Sequence, residues 1–179
     1  CDLGSGIRYL YSNFIDPTRI IYSGHSNGAF AALLAAGLPV RLPVQPQSLV
    51  IFATAGYYPD YLARIPPETV ITVVVGDQDR GTPPSLSKKI YDLLKVRHKQ
   101  LVVLKSYMQT EPQVVADHGL VRTYDWSGSR VTPLHYYGTW KFLVAAALDS
   151  GNRSGPRNPY IYGNLADTKK GREYGKHAG

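Results

Sequence analysis

Residues 19–38, RIIYSGHSNGAFAALLAAGL, decide how the rest of the chain is read. The β-branched run at 19–23 predicts a short strand, and AFAALLAAGL at 29–38 predicts a helix ended by Gly37 and Pro39. The many alanines of that helix suit close approach to a sheet. Between strand and helix lies Gly24-His25-Ser26-Asn27-Gly28, a G-x-S-x-G turn that carries its serine out at the tip of the strand. So sharp a turn leaves little room for flanking side chains, which accounts for glycine at both ends. Ser26 is therefore a candidate nucleophile. The N–H of Asn27, at the positive end of the helix, is a candidate donor to an oxyanion. The plainer alternative is a glycine turn in which Ser26 only caps the helix.

Outward from this turn, helical and strand-like segments alternate. Residues 4–14 place Ile7, Leu10, Tyr11 and Phe14 at helical spacing, Asp16-Pro17 forces a turn, and a Pro-rich loop follows at 39–46. SLVIFAT at 48–54 and VITVVV at 70–75 are continuous apolar runs, the pattern of strands buried on both faces of a parallel sheet. A helix is expected over 83–97, opened by a proline, and a further strand over 100–107. Pro133 opens a last helix at about 134–149, with Tyr137, Phe142 and Ala145 as packing candidates and Trp140 as a core residue. The alternation predicts an α/β domain over 1–150, with three α/β/α layers, a mostly parallel sheet and right-handed crossovers. Residues 151–179 lose all periodicity and read as a polar, basic tail.

Composition narrows the function classes. A chain of 179 residues, 44% hydrophobic and 18% charged, can bury one core. No apolar stretch approaches the roughly 20 residues of a membrane-spanning helix. The net charge is +7, yet residues 151–179 hold six bases and two acids and so supply +4 of it, leaving the rest nearly balanced. With no basic helix, RNA-binding signature or zinc-finger spacing, nucleic acid is not an expected partner. Cys1 is the only cysteine, which excludes an intrachain disulfide. There is no zinc-ligand spacing and no phosphate-binding G-x-x-x-x-G-K-[ST] loop. CDLGSGIRYL shows neither an initiating methionine nor a basic-then-apolar leader, so the expectation is a chain that begins mid-gene.

With the turn at 24–28 in this context, residues 4–149 resemble the α/β-hydrolase superfamily, and more loosely its bacterial esterase and polyester-depolymerase-like branch. In that family the acid commonly sits in a Gly-x-x-Asp turn after a later strand. VITVVV runs into Gly76-Asp77-Gln78-Asp79, so the resemblance implies Asp79, with Asp77 the near competitor. Two solvated turn aspartates capping the helix at 83 are the plainer alternative. A histidine follows in the family's order. His118, in the loop Ala116-Asp117-His118-Gly119-Leu120, has the reach toward both Ser26 and Asp79, whereas His135 near the last helix has its direction set by packing. His25 fills the variable elbow position, His98 lies near a helix end and His177 is in the tail; these read as structural or solvated.

Tyr57, Tyr58 and Trp126 fall on loops at the carboxyl ends of strands and are candidates for an acyl pocket, although aromatics there also shield sheet ends. The resemblance implies that the first strands, the loop with the second oxyanion N–H and part of the pocket lie outside this chain. Strand 19–23 would then be a bare edge. It further implies a serine hydrolase cleaving small-molecule carboxylic esters through an acyl-enzyme, with no metal or organic cofactor. An amidase or peptidase would use the same triad. The other alternative is a non-catalytic relative or inactive fragment serving as a binding module.

Overall fold

The structure, a computed structural model, describes residue 16 and residues 19–38, 45–109, 113–122, 124–125, 128–129 and 131–150. Four strands form one parallel sheet in chain order: β1 (Ile21–His25), β2 (Ser48–Phe52), β3 (Val70–Gly76) and β4 (His98–Leu104). Every residue of β2 and β3 is buried, which is why both segments are apolar without alternation.

Successive side chains leave opposite faces of these strands and build two cores. Leu49, Ile51, Ile71 and Val73 meet Ala29, Leu33 and Ala36 of α1 (Asn27–Ala36), Leu62 of the short α2 (Pro59–Leu62), and Ile90 of α3 (Pro84–Leu93). Val50, Phe52, Val74 and Val102 face Phe142, Ala145 and Ala146 of α4 (Lys141–Ser150) on the other side. The result is the expected three-layer α/β/α arrangement. A two-residue antiparallel pair, β5 (Tyr124–Asp125) and β6 (Gly128–Ser129), lies outside the main sheet.

Several element ends differ from the sequence reading, each for a tertiary reason. β1 runs two residues later than 19–23, because its pairing with β2 continues through Gly24↔Ile51 and His25↔Phe52. α3 stops at Leu93 rather than 97: Leu94 turns to extended backbone and Val96 drops into the core. His98 consequently opens β4 rather than ending a helix, and β4 finishes at Leu104 rather than 107.

The last helix begins with a π-helical segment, His135–Trp140, before α4. Its wider turn shifts the phase of the helix surface. Tyr137 and Trp140, expected to pack inward, are exposed instead, while Phe142 and Ala145 are buried. Gly138 lets this segment approach the sheet, since a Cβ there would lie 2.6 Å from Leu104 Cδ1. Tyr136, Trp140, Val144 and Leu148 leave an exposed apolar stripe. Among the described residues β1 is an edge strand, with Ser23 exposed and its other residues only partly buried. The expected helix at 4–14, loop residues 39–44, Trp126 and the tail at 151–179 lie outside the described residues.

Candidate active site

The turn after β1 is shaped by its neighbours. A Cβ on Gly24 would lie 2.3 Å from both the carbonyl carbon and oxygen of Gly28, so the strand end and the first turn of α1 touch backbone to backbone. A Cβ on Gly28 would meet nothing within 4 Å. The crowding expected at both glycines is thus present only at Gly24.

Ser26 takes φ 56° and ψ −120°, a conformation that L-residues adopt only under constraint. Three hydrogen bonds supply that constraint. The Ser26 N–H donates to the Phe52 carbonyl at 3.0 Å, and the Ser26 carbonyl accepts from the N–H groups of Ala55 (3.2 Å) and Phe30 (3.1 Å). Ala53, itself at φ 45°, donates its N–H to the Val74 carbonyl at 2.8 Å. The end of β2 and its exit loop, anchored to β3 through Ala53, therefore clasp the elbow. The Ser26 hydroxyl makes no capping bond to α1, contrary to the plainer reading of this serine.

That hydroxyl lies 3.0 Å from His118 Nε2. The loop carrying His118 is fixed at its base: the Ala116 N–H donates to Ser106 Oγ at 2.9 Å, and the Ala116 carbonyl accepts from the Gln78 N–H at 3.0 Å. Gly76 permits this close pass, since a Cβ there would meet the Ala116 carbonyl oxygen at 2.0 Å. Asp117 Oδ1 accepts from the Gly119 N–H at 2.7 Å and rounds the loop.

On the other side of the ring, His118 Nδ1 lies 3.0 Å from Asp79 Oδ2 and 3.2 Å from Oδ1. The Asp79 side chain is 0% exposed, whereas that of His118 is 31% exposed. Burial by itself pushes the Asp79 carboxyl up, but the Thr82 N–H and hydroxyl together with His118 outweigh it and hold the group below its usual range. An ionised carboxylate at Nδ1 fixes the proton there and leaves Nε2 as acceptor toward the Ser26 hydroxyl. Asp79 is not a solvated turn residue.

Asp77, the competing acid, faces elsewhere. Its Oδ1 accepts from Ser106 N–H (3.0 Å) and Ser106 Oγ (2.7 Å), and Ser106 in turn holds Ala116. It braces the His118 loop. His135 is buried, its Nδ1 accepting from the Thr132 N–H at 2.9 Å and its Nε2–H donating to the Arg122 carbonyl, so it pins the last helix to the preceding loop.

Tyr57 is partly buried against the α1–α3 core, with Lys89 Nζ 5.8 Å from its ring centre. Tyr58 is 55% exposed and lies 5.5 Å, ring to ring, from Phe30, one turn after Ser26. A cavity of about 250 Å³ opens beside β1, lined by Ser23, Gly24, His25, Phe52, Trp140 and Leu143 among others. Among the described residues, no group of three or more His, Cys, Asp or Glu side chains is placed to hold a metal ion, and no helix is long and apolar enough to cross a membrane. Two contributors escape sequence reasoning. Thr82 carries a local signal, an Asp followed three residues later by a Thr. His25 carries none beyond its place in the motif.

No protein-family profile matches the chain, and no curated protein matches it by sequence. Solved structures do match. Esterase 2 of Thermogutta terrifontis, phosphonylated by cyclosarin, aligns with TM-score 0.57 and 16% identity over 87% of this chain and 65% of that one. SOBER1 of Arabidopsis thaliana aligns at 0.52 and 12% identity, over 83% and 61%. Esterase PE8 gives 0.51 and 17%, over 79% and 57%. The chain has the α/β-hydrolase fold. At these identities the likeness is one of fold. The chain spans about three-fifths of the length of these α/β-hydrolase-fold structures.

Proposed function

We propose that this chain is a serine hydrolase acting on carboxylic esters of small molecules through an acyl-enzyme. The observation that carries the reading is the single line of hydrogen bonds from Ser26 Oγ through His118 (3.0 Å) to Asp79 (3.0 Å). In this scheme Ser26 Oγ attacks the ester carbonyl as His118 Nε2 takes its proton. The Asn27 N–H, in the first turn of α1 where no intrahelical acceptor exists, stabilises the oxyanion. Collapse of the tetrahedral intermediate expels the alcohol, which leaves with the proton from Nε2. Water then attacks the acyl-enzyme, giving its proton to His118. The second collapse releases the acid and returns the proton to Ser26. Asp79 stays ionised throughout and stabilises the imidazolium. Phe30, one turn after Ser26, and Tyr58, in ring contact with Phe30, serve in this reading as an apolar wall for the acyl group.

Fluorophosphonate labelling of the purified chain, followed by peptide mapping, tests the assignment. Esterase 2 of Thermogutta terrifontis, which shares the fold, is known in a form phosphonylated by cyclosarin, which supports the choice of probe. Labelling at Ser26 is the expected result. A second reading, a binding module that keeps the triad without turning over substrate, draws on the edge position of β1 among the described residues. A folded chain that takes no label would favour it. Relative rates on matched esters and amides separate an esterase from an amidase.

A further inference from the structure

We infer that His25 is a positioning residue for His118, acting through the main chain of the loop that carries it. The inference rests on the reading of His118 as the general base. His25 closes β1, and its Nε2 lies 2.7 Å from the carbonyl oxygen of His118, 93 residues further along. A carbonyl only accepts, so Nε2–H is the donor. The two imidazole rings are 4.8 Å apart between centroids and tilted by 43°. Adjacent residues of one strand end thus hold His118 at two points: His25 at its carbonyl and ring face, Ser26 at Nε2.

The other fixings of this loop come from the acid side. Ala116 is tied to Ser106 and Gln78, and the His118 ring to Asp79, all reached from the ends of β3 and β4. Those bonds set the base relative to its acid but not relative to its nucleophile. His25 closes that gap, because it ends β1 and is bonded directly to Ser26 along the chain. Partial burial lowers the pKa of His25 and so favours its uncharged form beside the base.

The test compares donorless and donor-bearing replacements. His25→Phe and His25→Leu fill the space without a donor, whereas His25→Gln restores a side-chain N–H. The donorless variants should lose about 10- to 100-fold in kcat with KM changed less than about twofold, as expected when reacting groups drift by a fraction of an ångström to an ångström. His25→Gln should recover to within about threefold of wild type. A second readout needs no turnover: the downfield Nδ1–H proton resonance of His118, observed in 15N-labelled protein, should broaden in the Phe and Leu variants and persist in Gln. Equal kcat values for the three variants, or an unchanged His118 resonance in folded His25→Phe, would overturn the inference. Should wild type neither label nor turn over, the hydrolase reading fails by itself, and the resonance alone decides whether His25 positions His118.

Discussion

Thr82 grips Asp79 twice: its N–H donates to Oδ1 at 2.7 Å and its hydroxyl to Oδ2 at 2.8 Å. The acid is therefore oriented by its own loop, and His118 meets a carboxylate already in place. Thr82 Oγ1 also lies 3.2 Å from His118 Nδ1, which shares its proton between the carboxylate and this oxygen. Thr82→Val removes the hydroxyl while keeping the shape. Losing a hydrogen bond to a charged group should cost about 1.5–3 kcal/mol of stability and leave Asp79 easier to protonate. Thr82→Ser should behave as wild type. Urea unfolding of the three proteins at neutral pH checks the order.

Acid sensitivity follows from two lowered groups. Asp79 is held below the ordinary carboxylate value, so the unfolded chain binds its proton more readily. Its contribution is complete above the ordinary range near pH 4 and is lost as pH falls through the folded value. His25 is also lowered, from an ordinary 6.5, chiefly by burial. Its contribution is present above pH 6.5 and is lost as pH falls through its folded value. Unfolding midpoints should thus decline in two stages on acidification. His25→Gln should remove the upper stage and Asp79→Asn the lower; a profile that either substitution leaves unchanged would contradict the assignment.

The two glycines of the elbow should respond oppositely. Gly24→Ala forces a Cβ to within 2.3 Å of the Gly28 backbone, which the strand and helix cannot yield without separating. It should abolish serine labelling and lower the melting temperature by many degrees. Gly28→Ala adds a methyl in open space within α1, where alanine is favoured over glycine by about 0.5–1 kcal/mol. Its melting temperature should hold or rise.

Paired substitutions separate reacting groups from braces. Ser26→Ala and His118→Ala should each lower ester turnover by on the order of a million-fold, and Asp79→Asn by about 10⁴-fold, with the fold intact. Asp77→Ala removes the acceptor that holds Ser106, and His135→Ala removes a buried pin between loop and helix. Both should appear mainly as lost stability of about 1–3 kcal/mol. Steady-state kinetics and chemical denaturation of the same preparations show whether the ranks hold.

Self-association should track the exposed stripe along the last helix. Val144 and Leu148 are 56% and 63% exposed beside Tyr136 and Trp140, and β1 is an edge strand among the described residues. The double variant Val144→Glu, Leu148→Lys should shift the purified chain toward monomer in size-exclusion chromatography. No shift would show that the stripe does not drive association.

What the sequence reveals about this fold depends on whether a segment's partners leave a local trace. β2 and β3 are legible because burial on both faces demands unbroken apolar runs. Ser26, Asp79 and His118 are legible as candidates because each sits in a short local pattern, and the structure brings the three within hydrogen-bond distance. The end of α3 is not legible, since it is set by Val96 reaching a core assembled from distant strands. Nor is the π-helical segment, whose changed phase sends Tyr137 and Trp140 outward although their spacing suits an ordinary buried helix. His25 is hidden for a third reason: its partner is a main-chain carbonyl, which no side-chain pattern announces.

The clasp on Ser26 bears on transplanting this turn into another scaffold. The backbone angles of the serine are enforced by Phe52, Ala55 and Phe30, two of which belong to the end of the neighbouring strand and its exit loop. Grafting only the pentapeptide 24–28 onto a foreign strand–helix junction would let the serine relax into an ordinary rotameric turn and withdraw its hydroxyl. The portable unit is discontinuous, residues 24–30 together with 52–55, and a recipient must already hold two adjacent parallel strands ending at the same height.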